Sequence, residues 1–239
     1  MAPVNLGAGY LGGAYFFVRA FKATEWHTVK AGFVAVGTFA SLLGVATILH
    51  WEKFDHSHVA FWLWAGLYFT TPFLVWGVWF ANRGRGTAAS PRDLLLPPAA
   101  RTVMAFTGIV AVCAGLFLFL APDRAIAVWP WTLPPLPSRL LGAIFMLGLA
   151  GLGVLPAARW SASRLILQVQ VFMITLLVVA GLRAHADFDA SNAETWKLTG
   201  GFLAAMDSAA ILSLGMDRRS AAAYQSLPPL SGGRQGDTE

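Results

Sequence analysis

Charge is what this chain has least of. Asp, Glu, Lys and Arg make up 12% of its 239 residues, about half the share of a water-soluble domain. Too few charges to wet a surface excludes a soluble globular fold. Cysteine is nearly missing as well. The single Cys113 lies inside an apolar run and excludes an intrachain disulfide. The common catalytic signatures are also lacking. There is no Walker-type phosphate loop, no dinucleotide glycine fingerprint behind a strand, no His-Glu-x-x-His pattern and no serine elbow. Any catalysis would rest on scattered residues, and a non-enzymatic protein is the favoured reading.

What is present is apolar. Hydrophobic residues reach 56%, mean hydropathy is +0.60, and there are 10 Trp and 17 Phe. Seven segments, 5–21, 31–49, 58–81, 102–121, 139–155, 164–182 and 198–216, approach the ~20 residues that cross a ~30 Å hydrocarbon core as a helix. Backbone groups in lipid must pair within their own segment, so each is expected to be α-helical. The fold class is all-α, a polytopic transmembrane bundle of seven spans. The count becomes six if the short, glycine-rich first segment does not cross. Residues 1–219 form one domain, and 220–239, rich in Ser, Gly, Pro and Gln, are expected to be a disordered tail. The proline-rich stretch 122–137 is expected not to be a regular helix. The spacing Gly9-x-x-x-Gly13, with Gly12 alongside, suits close helix packing in lipid.

A net charge of +5 and a pI near 9.8 raise the possibility of nucleic-acid binding. The basic residues, however, are dispersed at the ends of apolar runs, as topology determinants are. The connections 19–30, 83–101, 156–164 and the tail from 217 carry 3, 4, 2 and 3 of them, whereas 50–57, 121–139 and 183–197 carry 1, 2 and 2. Twelve against five places the first group, and the C-terminus, in the cytoplasm. No basic region precedes the first segment, and Arg19 and Lys22 follow it, the pattern of an uncleaved reverse anchor.

Two sets of residues carry candidate chemistry. His50-Trp51-Glu52-Lys53-Phe54-Asp55-His56-Ser57-His58 packs three of the five His into nine residues between two spans. The same, outer side receives His185, Asp187, Asp189 and Glu194. Four mixed His and carboxylate ligands at ~2 Å suit a divalent metal such as zinc. His50 and His185 alternatively offer axial ligands to a haem, and the cluster is otherwise a proton-responsive one. Against a self-contained site, His56 and His58 diverge by roughly 200° on a helix, and Asp55 or Ser57 suits the N-cap of the third span. The bland alternative is a solvated polar turn. The second candidate is Asp207, nine residues from either end of the last segment. An ionised carboxylate there costs roughly 2.5–3.5 kcal/mol. It is therefore expected to face the bundle interior, with Thr107, Gln168, Gln170 or Thr175 as neutral partners.

The phrases Gly7-Ala-Gly-Tyr-Leu-Gly-Gly-Ala-Tyr15, Leu49-His-Trp-Glu-Lys-Phe54 and Trp129-Pro-Trp-Thr-Leu-Pro-Pro-Leu-Pro-Ser-Arg139 resemble multi-pass membrane proteins of high-GC bacteria that have no known activity. The likeness runs over most of residues 5–185. It implies a bacterial plasma membrane and transfers no catalytic residue. The expected function is a small transporter or accessory membrane subunit with a cation- or proton-responsive outer cluster. The alternative is a metal- or haem-dependent redox protein or enzyme. The expected partners are the lipid bilayer and a membrane protein or a second copy, not nucleic acid.

Overall fold

The computed structural model describes residues 2–85, 93–129, 133–183 and 193–225. Among them the fold is all-α: α1 (Ala2–Phe21), α2 (Lys30–Leu49), α3 (Val59–Asn82), α4 (Pro98–Leu120), α5 (Pro122–Val128), α6 (Pro135–Phe145), α7 (Leu149–Val154), α8 (Trp160–Arg183) and α9 (Ala193–Gln225). A 3-10 turn, Met146–Gly148, joins α6 to α7, so Pro135–Val154 runs as one apolar rod. Six segments are long and apolar enough to cross a membrane: α2, α3, α4, the α6–α7 rod, Trp160–Val179 in α8 and Thr199–Ala223 in α9. The chain is a multi-pass membrane protein.

Of the two expected counts, six is the one met by length and hydropathy. The less apolar α1 nonetheless lies antiparallel along α8. Its Gly12 faces Met173, and Tyr15 Oη donates to Gln168 Oε1 at 3.4 Å. Gly9 and Gly13 have open space where a Cβ would go. The glycine that matters in α1 is therefore Gly12.

Prolines move three boundaries. Pro98, Pro122 and Pro135 each sit in the first turn of a helix, where the missing N–H would be unpaired anyway and the fixed φ is already helical. The helices α4 and α6 therefore start ahead of their apolar runs. By the same device Pro122–Val128 is a helix, against the expectation for 122–137, and it buries Pro122 and Ala125. At the C-terminal end α9 continues to Gln225, so 220–225 are helical. The rest of the expected tail lies outside the described residues.

Close approach of backbones organises the bundle. Gly115 and Gly142 face each other between α4 and α6: a Cβ on Gly142 would stand 2.7 Å from the Gly115 carbonyl oxygen and 2.9 Å from Phe119 N. About two turns further on, Gly148 lies against Gly108 and Ala111. Such small-residue seams are how helices associate in lipid, where apolar burial gives little drive. A second seam joins α2 to α3. Pro72 inside α3 has no N–H to offer the Tyr68 carbonyl four residues back. That oxygen instead approaches Gly44 of α2, 2.9 Å from where its Cβ would be. Indoles zip the same pair: Trp64 Nε1 donates to Thr47 Oγ1 at 2.8 Å and Trp76 Nε1 to Ser41 Oγ at 3.2 Å. The enclosed helix is α2, with half of its span buried, and the least enclosed is α9, with 12%.

The connections sort into two ends. At one, Ser161 at the start of α8 meets His27 and Asp93, and Leu96 N donates to Ala158 O at 2.8 Å. At the other, His50 meets Arg139 and Ser138 Oγ donates to Leu118 O. These are the two sets of connections that alternation along the chain predicts.

Candidate functional site

The set that the basic-residue count assigns to the outer side is built where α2 stops and α6 starts. His50 ends α2 with its N–H on Ala46 O at 3.1 Å, and Trp51–Lys53 follows as a 3-10 turn. Opposite, the prolines 134, 135 and 137 start α6 and place Arg139 in its second turn. Arg139 Nη1 lies 2.5 Å from His50 Nε2. A guanidinium only donates, so Nε2 accepts and the ring proton belongs on Nδ1. Partial burial, then the charges of Arg139 and Lys53, hold the His50 pKa below its ordinary value. His50 is a neutral acceptor.

The other members of the cluster point elsewhere. His56 stacks on Trp51, with ring centroids 4.9 Å apart, and meets Phe61 edge-on. Asp55 accepts the Ser57 N–H at 2.9 Å and its hydroxyl at 2.6 Å. These two bonds hold its carboxyl below the usual range and make it the organiser of a local turn. The N-cap of α3 is His58, without a side-chain cap, so neither Asp55 nor Ser57 fills that place. The exposed His58 ring lies 3.9 Å from Asp55, and Glu52 is exposed. Among the described residues no three His, Cys, Asp or Glu side chains gather to hold a metal ion. His185, Asp187 and Asp189, the expected other half, lie outside the described residues, as does any shared metal or haem site with His50.

A second polar set forms at the opposite end, from residues that no spacing in the sequence ties together. Asp93 Oδ1 accepts the Ser161 N–H at 3.1 Å and Oδ2 accepts the Ser161 hydroxyl at 2.5 Å. The unpaired N–H groups of a helix start attract such a carboxylate, and Asp93 supplies it from 68 residues away. Antiparallel pairing of 94–96 with 158–160 delivers it, with Trp160 N on Leu94 O at 2.8 Å. Ala158 takes a left-handed φ of 46° to make that turn. His27 Nε2 sits 3.0 Å from Ser161 Oγ, and His27 Nδ1 3.4 Å from Glu25 Oε2. Acid, imidazole and hydroxyl in that order suggest nucleophile activation. The hydroxyl proton, however, is spent on Asp93, so Nε2 donates to Ser161. The set Glu25–His27–Ser161–Asp93 is a tether between three connections.

Comparison with known families, curated proteins and solved structures finds no match. The chain's chemistry is therefore its own evidence.

Asp207 departs from expectation in its direction. It is exposed on the outer face of α9. Three of its four expected partners are engaged elsewhere: Thr107 with the Val103 carbonyl, Thr175 with the Val171 carbonyl and Met206, Gln168 with Tyr15. Arg164 Nε pairs with Asp217 Oδ1 at 2.9 Å near the far end of α9. Ten residues at 1.5 Å put Asp207 about 15 Å deeper, close to the middle of a ~30 Å core. The bundle interior carries few fully buried polar side chains by contrast. Its fully buried polar side chains among the described residues are Thr47, Ser138 and Ser163, and each donates to a backbone carbonyl.

Proposed function

We propose that this protein is an accessory membrane subunit, a helical scaffold that joins a larger membrane assembly through α9. The observation that carries this reading is the outward-facing Asp207. A carboxylate at that depth costs roughly 2.5–3.5 kcal/mol, and it meets no hydrogen-bond or ion-pair partner among the described residues. A partner helix lying on α9 would remove that cost. The exposed Gly200, Ala204, Ser208 and Gly215 flank Asp207 on α9 and leave room for a second backbone to come close. The scarcity of fully buried polar side chains among the described residues favours a scaffold over a conduit, because a transported ion needs polar groups along its path. We place the end that carries 22–29, 93–97 and 155–161 in the cytoplasm of a bacterial cell, on the strength of the basic-residue count and the sequence resemblance.

The test compares wild type with Asp207→Leu, extracted from the native membrane in mild detergent and weighed by native mass spectrometry. The wild type should carry a stoichiometric membrane-protein companion that Asp207→Leu loses while remaining folded. A lone monomer in both samples, together with proton or cation flux in proteoliposomes, would replace the scaffold with a transporter.

A further inference from the structure

Among the described residues Arg139 stands out as a cation without an anion. It is half-buried, and its one hydrogen-bond partner is His50, a neutral acceptor. Its Nε is buried with no acceptor. The ion pairs among the described residues join His27 to Glu25, His58 to Asp55 and Arg164 to Asp217, so none neutralises Arg139. Glu52 and Asp55, near in sequence, are both exposed, and Asp55 is held by Ser57. Two features near His50 and Arg139 add positive potential: Lys53, whose charge is felt at His50, and the start of α6, which no side chain caps and whose dipole ends positive there.

The place matters as much as the charge. Arg139 lies where α2 ends at Leu49, α4 at Leu120, and α6 begins. That is the level at which an apolar bundle meets lipid headgroups, and long basic side chains reach for that level. His50 fixes the guanidinium from one edge through Nη1 and leaves Nη2 without an acceptor among the described residues. A planar fork of this kind matches phosphate oxygens better than a halide does. The metal reading of His50 points the other way, since its Nε2 lone pair already faces a cation.

We propose that Arg139, oriented by His50 and assisted by Lys53, forms an anion site for a phosphate oxyanion at the outer membrane face. The oxyanion comes either from an acidic phospholipid headgroup or from free phosphate. The site goes beyond the scaffold reading and does not depend on α9 or Asp207.

Wild-type protein is reconstituted in nanodiscs of phosphatidylcholine, with and without phosphatidylglycerol, in phosphate-free buffer, and its thermal unfolding is followed. A parallel arm adds inorganic phosphate to the phosphatidylcholine discs. A lipid ligand raises the melting temperature only with phosphatidylglycerol, a soluble ligand only with inorganic phosphate. Native mass spectrometry then counts retained phosphatidylglycerol. Arg139→Gln should retain several-fold less, Arg139→Lys an intermediate amount, and Arg183→Gln, an exposed basic residue at the same end of the bundle, as much as wild type. Circular dichroism confirms that each variant is folded. If Arg139→Gln fails to fold, Arg139→Lys and Lys53→Gln carry the comparison. Equal responses of the wild type and these variants to both probes would overturn the site, as would an equal loss in Arg183→Gln.

Discussion

At the scale of single residues, His50 shows how a neighbour decides what a side chain is. In the sequence it was the first of three clustered histidines and a natural ligand. Beside Arg139 it is a neutral acceptor with a lowered pKa. The pH dependence follows. Between that lowered value and the ordinary one near 6.5, the folded state binds fewer protons at His50 than the unfolded chain does. The contribution of His50 is therefore intact above about 6.5 and declines as the pH falls below it. Thermal unfolding between about pH 5 and 8 should show a falling acid limb that His50→Gln flattens. An unchanged limb would show that another group sets it. Asp207 teaches the same lesson in reverse. Its depth was legible from its place in the run, but its direction was not, because a small rotation of α9 separates an interior acid from an outward one.

Elements were the most legible scale, and their errors are instructive. Apolar runs and breaks located the helices of the spanning set to within about four residues, except α9, which extends beyond 198–216 at both ends. Pro122 and Pro135 start helices where a proline-rich stretch predicts a break. The spacing of Gly9 and Gly13 predicts close packing, yet a Cβ at either would meet nothing within 4 Å. A motif such as G-x-x-x-G marks a face that permits close packing without showing that a partner lies there. The seams that exist are Gly115 against Gly142 and Gly44 against the Tyr68 carbonyl. Gly142→Ala puts a methyl against two backbone atoms that cannot swing aside, so α4 and α6 must separate. Overpacking of this kind costs about 1–3 kcal/mol. Gly66→Ala in α3 meets nothing within 4 Å and should be neutral, or stabilising by up to about 1 kcal/mol from helix propensity alone. Reversible unfolding in mixed micelles would compare the two. A tolerated Gly142→Ala would mean that the seam yields.

For the molecule as a whole, the alternation of connections makes an orientation that is open to direct test. In a Cys113→Ser background, a single cysteine at Lys53 should react with a membrane-impermeant maleimide from outside intact cells. One at Arg85 should react only after lysis. The opposite pattern would invert the protein and move the phosphate site to the cytoplasmic face. Hydropathy and charge determined class, helix positions and the two-ended sorting of connections by themselves, because each is a sum over neighbours in the chain. Only the tertiary structure decided that His50 meets Arg139, that Asp93 reaches Ser161 and that Asp207 faces outward. Those depend on the rotation of each helix about its axis and on pairings across 89 and 68 residues, to which local sums are blind.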